Sequence, residues 1–211
     1  MTDLHNSVTS SPATNSTKIY LLDNFDSFTY NLVDEFRQLG FEITIYRNNV
    51  AADYIYSRIE AETRPVVVVL SPGPGNPQSA GCLLELIDLC KGNYPLFGIC
   101  LGHQAIVESF GGKIGLAPET VHGKVSAIDH HQHPIFAGFP SRINVARYHS
   151  LQASEVPETL EVIAQFQGIP MAVIAPKDKV LGFQFHPESI LTTQGSHLIK
   201  QSLSYLTGDQ P

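Results

Sequence analysis

P-L-F-G-I-C-L-G-H-Q, residues 95–104, decides how the rest of the chain is read. Its first half is a short apolar run, bounded upstream by Gly92, Asn93 and Pro95, and reads as a buried strand. From Leu101 the period changes, and Leu101, Ala105, Ile106 and Phe110 recur at helical spacing. Between the two lies G-x-C-x-G, the thiol counterpart of the strand-to-helix elbow that lifts a nucleophile out of a sheet. Glycines at 98 and 102 fit such a turn, because a Cβ at either would block close packing. Cys100 then falls at a helix N-terminus, where unpaired N–H groups and the helix dipole favour an anionic sulfur. A cysteine in an apolar stretch is by default a buried one. The flanking glycines make this one a candidate nucleophile.

Working upstream, the chain alternates strand and helix. Lys18 to Leu22 is a strand, and D-N-F-D-S at 23–27 is the loop that leaves it, with Asp26 or Ser27 placed to cap a helix. Phe28, Leu32, Val33, Phe36 and Leu39 form the stripe of that helix, and Gly40 ends it. A strand over 41–46, a helix over 53–62 and a strand over 65–70 follow; the last carries four successive valines, as a strand buried on both faces requires. S-P-G-P-G-N-P at 71–77 leaves the carboxyl end of that strand, the edge where open α/β sheets bind ligands. Its glycines let the backbone approach a substrate and offer an N–H to an oxyanion. A helix over 83–90 leads into the elbow.

Downstream of Gly111 and Gly112 the alternation stops. Short strands are predicted over 121–128, 143–148, 160–166, 171–174 and 180–185, with no helices between, and a last helix over 196–206. The expected fold is α/β: an open, twisted, mainly parallel sheet with helices on both faces and antiparallel C-terminal additions. Residues 18–211 form one domain, behind a flexible extension over 1–17 rich in Ser, Thr and Asn.

G-F-Q-F-H-P-E at 182–188 brings His186 and Glu188 to a strand end. Two residues apart in extended chain, they point the same way, so the carboxylate can hold the ring. Pro187 keeps His186 out of a helix. With Cys100 the pair completes a triad. R-Y-H-S-L at 147–151 is a polar group at another strand end and alone reads as an ordinary loop. H-H-Q-H at 130–133 lacks metal-ligand spacing and reads as solvated loop. His103 is too close to Cys100 along the chain to act as its base.

Composition narrows the class. The 211 residues carry a net charge of −7 without a basic cluster, which argues against nucleic acid. No segment is long and apolar enough to span a bilayer, and the N-terminus lacks the basic start and apolar core of a signal peptide. The three cysteines, at 82, 90 and 100, suit reduced thiols in a cytoplasmic protein.

Taken together, S-P-G-P-G-N-P, G-I-C-L-G-H-Q at 98–104 and F-H-P-E at 185–188 resemble the class I (triad) glutamine amidotransferases, in order and spacing, over 18–206. D-N-F-D-S-F-T-Y-N-L at 23–32, H-G-K at 122–124, R-Y-H-S-L and S-I-L-T-T-Q-G at 189–195 look like the amidotransferase subunits of the anthranilate synthases. Those of aminodeoxychorismate synthase share much of this, and a catalytically inactive subunit or a stand-alone γ-glutamyl hydrolase stays open. The resemblance implies a flavodoxin-like core. It makes Cys100 the nucleophile, His186 the base and Glu188 its orienting partner. Gly73, Pro74 and Gly75 would line the glutamine site, the Gly75 and Leu101 N–H groups would face the oxyanion, and Gln104, Ser150 and Leu151 would hold the amino-acid end. It implies no cofactor in this chain. The partner would be a larger chorismate-using subunit that carries Mg2+, joined as a heterodimer or heterotetramer and docked on the 23–28 loop and the H-G-K segment.

Overall fold

A computed structural model describes residues 16–208. The extension assigned to 1–17 lies outside the described residues as far as residue 15; Thr17 is already buried beside the first strand. The chain runs β1 (Lys18–Asp23), α1 (Thr29–Gln38), β2 (Glu42–Arg47), α2 (Ala52–Glu60), β3 (Val66–Leu70), α3 (Leu83–Cys90), β4 (Leu96–Ile99) and α4 (Leu101–Ser109). It continues through β5 (Lys113–Leu116), β6 (Lys124–Asp129), β7 (Arg142–Arg147), β8 (Leu151–Glu155), β9 (Glu161–Phe166), β10 (Ile169–Ala175), β11 (Val180–Phe183) and α5 (Gly195–Thr207).

Nine strands make one sheet in the order β2-β1-β3-β4-β11-β10-β9-β6-β7. The first five in that order run parallel. Successive residues of β1 and β3 divide between two cores because strand side chains alternate across the sheet. Ile19, Leu21, Val67 and Val69 pack with α1 and α5. Tyr20, Leu22, Val66, Val68 and Leu70 pack with α2, α3 and α4. Burial of both faces explains the unbroken valines of β3.

Three expectations need correcting. β11, grouped among the antiparallel additions, runs parallel to β4 and antiparallel to β10, so it is the seam between the two halves of the sheet. β5 and β8 were not foreseen; they pair with each other as a separate two-stranded sheet. Helix α1 starts at Thr29, and Asp26 Oδ1 accepts the Phe28 N–H at 2.7 Å, ahead of the helix rather than as its cap.

Candidate active site

The elbow is present in full. Cys100 joins β4 to α4 with φ +52° and ψ −100°, a conformation L residues avoid, at a cost of about 1–3 kcal/mol. The neighbouring glycines permit it: a Cβ on Gly102 would lie 2.3 Å from the Leu70 carbonyl oxygen, and one on Gly98 would lie 2.6 Å from the Gly102 carbonyl. The Cys100 N–H is taken by the Phe183 carbonyl at 2.7 Å. As the first helical residue, Leu101 has an N–H with no carbonyl one turn back to receive it. The S-P-G-P-G-N-P loop is tied down beside it. Asn24 donates from its backbone to Ser71 Oγ and from its side chain to the Ser71 carbonyl, both at 2.9 Å, and accepts from Asn48 at 3.1 Å.

β11 ends at Phe183, sooner than predicted, and a bridge from the His186 N–H to the Ala146 carbonyl at 3.0 Å carries the histidine on. His186 Nδ1 meets Glu188 Oε1 at 2.7 Å, with both residues buried. Nε2 is buried and makes no hydrogen bond of full geometry, as is common before substrate binds. Burial alone would depress this imidazole. The charges of Cys100 and Glu188 outweigh it and raise the pKa well above the ordinary histidine value. A protonated ring between a sulfur and a carboxylate is the resting form this favours. Phe28, Tyr148 and His186 pack ring on ring at 4.9–5.1 Å, and His122 stands edge-on to Tyr148 at 5.7 Å. The 23–28 loop and the H-G-K segment therefore meet beside the His186 ring.

A cleft of about 150 Å³ opens on the sulfur, lined by Gly73, Pro74, Gly75, Gln104 and Tyr148 together with residues 149–151. A larger hollow of about 490 Å³ lies on the far side of Glu188 and does not reach Cys100. Of the ten residues expected at the site, seven line the cleft: Gly73, Pro74, Gly75, Cys100, Gln104, Ser150 and Leu151. His186, Glu188 and Leu101 do not line it, and all three are buried.

R-Y-H-S-L, read as an ordinary loop, is a wall of the site. Buried Arg147 donates from Nε to His149 Nε2 at 3.0 Å, so His149 Nδ1 carries the proton and donates to the Leu151 carbonyl at 2.9 Å. Burial, reinforced by the Arg147 charge, holds His149 neutral, with its pKa down at about 4. Leu151 O also accepts from Gln104 Nε2 at 3.0 Å, which uses both its lone pairs. Sequence reasoning gave no role to Asn24, Asn48 or Gln184. Gln184 had one legible signal: a polar side chain between two phenylalanines, in register with His186. His103 is fully buried against Gly182 with its pKa at about 3, chiefly from burial, and does not line the cleft. His130 sits on the Pro140 carbonyl and His133 caps a short turn. Among the described residues no three His, Cys, Asp or Glu side chains converge as a metal site, and no helix is long and apolar enough to cross a membrane.

An elbow cysteine, a carboxylate-held histidine and a glycine-rich loop at the carboxyl edge of a parallel sheet are the parts of a thiol-nucleophile site. Residues 20–205 match the model of the class-I glutamine amidotransferases, and the chain belongs to that family. It is a glutamine amidotransferase subunit, and relatives of narrower description bear on which one. The chain is 51% identical over 187 residues to anthranilate synthase component 2 of Vibrio parahaemolyticus, covering 89% of this chain and 95% of that protein. It is 48% identical over 191 residues to the Helicobacter pylori (strain ATCC 700392 / 26695) protein of the same name, covering 90% and 98%. Among solved structures, a Thermoplasma acidophilum protein described as belonging to a GMP synthase superposes with a TM-score of 0.79 at 26% identity, covering 92% of this chain and 96% of that one. A Thermotoga maritima glutamine amidotransferase shares the fold with a TM-score of 0.70 at 15% identity, covering 92% and 99%.

Proposed function

We propose that this chain hydrolyses L-glutamine at Cys100 and hands the ammonia to a larger synthase subunit, which makes anthranilate from chorismate for tryptophan synthesis. The observation that carries the chemistry is the Cys100–His186–Glu188 constellation beside a cleft lined by Gly73, Gly75 and Gln104. The likeness to anthranilate synthase component 2 proteins over nearly their whole length supports the pathway.

The steps follow from the geometry. The sulfur attacks the side-chain amide carbon of glutamine. The tetrahedral oxygen is held by the Leu101 N–H and by an N–H of the Gly75 loop, a type of interaction worth about 3 kcal/mol of barrier. His186, already protonated, gives its proton to the leaving nitrogen, which departs as ammonia and leaves a γ-glutamyl thioester. The now neutral ring takes a proton from water, the hydroxide adds to the thioester, and glutamate leaves as the sulfur is regenerated. Glu188 keeps Nδ1 protonated and the ring aligned throughout. Ammonia would be protonated and lost in bulk water, so a second active site must lie against this one. Mg2+ and chorismate belong to that second subunit. Phe28, Tyr148 and His122 form the docking face in this reading, since they touch His186 directly or at one remove.

The test is purification of the complex from cells, then product assays with glutamine and with ammonium salt. Anthranilate should form from either nitrogen source. Cys100→Ser should abolish the glutamine-dependent reaction and spare the ammonium-dependent one. Aminodeoxychorismate as product would move the protein to the folate pathway, and glutamine-dependent synthesis surviving in the serine variant would remove Cys100 from the mechanism.

A further inference from the structure

Gln184 is wholly buried, between the equally buried Phe183 and Phe185, two residues before the catalytic histidine. A primary amide in that position needs partners for its carbonyl and its N–H groups, or it costs stability. The site supplies them. Gln104 Nε2 donates to Gln184 Oε1 at 3.1 Å, and Gln184 Nε2 points to the Cys100 sulfur at 3.8 Å. The orientation of each amide is fixed by what surrounds it. Arg147 has only N–H groups to give, which sets the His149 tautomer and makes Leu151 O an acceptor for His149 and Gln104 alike. Both N–H groups of Gln104 are then spent, one on Leu151 O and one on Gln184 Oε1, which leaves Gln104 Oε1 as the acceptor free for a ligand in the cleft. With its oxygen engaged, Gln184 can present only its nitrogen to the sulfur.

We propose that Gln184 is a positioning residue for the nucleophile, and that the Gln104–Gln184 pair relays occupancy of the amino-acid end of the cleft to the Cys100 sulfur. The proposal rests on the amidotransferase reading and deepens it. Glutamine brings an α-ammonium, whose N–H matches Gln104 Oε1. That contact pins the Gln104 amide, the pinned amide pins Gln184, and Gln184 holds the sulfur in its attacking rotamer. A substrate without the ammonium leaves Gln104 Oε1 to water, and the Gln104 amide is held by its two N–H contacts alone. The relay acts on orientation, where small displacements of a reacting atom carry large penalties in rate. The bond to sulfur is long, so little is lost when attack moves the sulfur away.

The experiment compares glutamine with 4-carbamoylbutanoate, which is glutamine without its α-amino group, in the complex with the synthase subunit. Wild type should show a lower kcat for the analogue as well as a higher KM. Gln184→Leu should cut kcat for glutamine by about 10- to 100-fold, the size of penalty a misplaced reacting atom carries, with KM changed less than about threefold. The kcat gap between the two substrates should close. Ammonium-dependent synthesis reports that the complex is intact; if Gln184→Leu does not sustain it, the same-shaped Gln184→Glu carries the test, with the same expected collapse of the gap. An unchanged kcat, or an equal fall for both substrates that leaves the gap in place, overturns the relay. A wild-type complex that ignores glutamine while using ammonium overturns the amidotransferase reading, and the relay with it.

Discussion

Replacing Cys100 by glycine should make the protein more stable than replacing it by alanine, the reverse of the usual order. At a relaxed backbone position alanine exceeds glycine by up to about 1 kcal/mol, because glycine has more freedom to lose on folding. Cys100 is not relaxed: its φ of +52° and ψ of −100° are tolerated by glycine and resisted by any residue with a Cβ. Strain of this kind is about 1–3 kcal/mol. Taking about 2 kcal/mol and subtracting about 1 for glycine's entropy leaves Cys100→Gly ahead by about 1 kcal/mol. In a chain of this size that is about 2–4 °C in Tm. Urea unfolding of the two variants side by side reads the difference directly, and since neither has a sulfur, the lost thiol cancels. If Cys100→Ala exceeds Cys100→Gly by the ordinary margin of about 1 kcal/mol, the elbow stores no strain and the claim that the fold holds Cys100 in a forced conformation fails.

Glu188→Gln should lower kcat for glutamine by about 100-fold. Its alkaline limb should move to lower pH, because the imidazolium at His186 loses one of the two charges that raise it; an unmoved limb would show that the carboxylate only packs. Acid should destabilise the fold through His103. Its folded pKa of about 3 lies below the ordinary 6.5, so its contribution is complete above 6.5 and falls away as pH drops toward 3. Between pH 8 and pH 5 that amounts to about 2 kcal/mol, and His103→Leu should flatten the stability profile by this amount, as measured by denaturant unfolding at the two pH values. Equal slopes in the two proteins would mean that the ring is not held neutral.

The parallel half of the fold was legible because its signals are redundant. Strands β1 to β4 and helices α1 to α4 all stand within about two residues of their predicted positions, since apolar runs, helical stripes and stops such as Gly40 agree there. β5 and β8 carry no such signal. Lys113–Leu116 is four residues with a glycine, and L-Q-A-S-E has little β preference and no continuous apolar face. The direction of β11 was illegible for the opposite reason: all four of its residues are buried, and a strand buried on both faces does not say which way its neighbours run. That Cys100, His186 and Glu188 would come together was legible from spacing and chemistry. The side-chain contacts of Arg147, His149 and Gln184 were not, because each depends on which end of a side chain donates, and that is settled only by the folded neighbours.

The seat of β11 between β4 and β10 also has a consequence during synthesis on the ribosome. Cys100 is made before His186, whose position waits for β11 to slot into the centre of the sheet. An unfinished polypeptide thus has the thiol without the imidazole. No product cut before β11 should consume glutamine, and the chemistry should switch on only when the sheet closes around that strand.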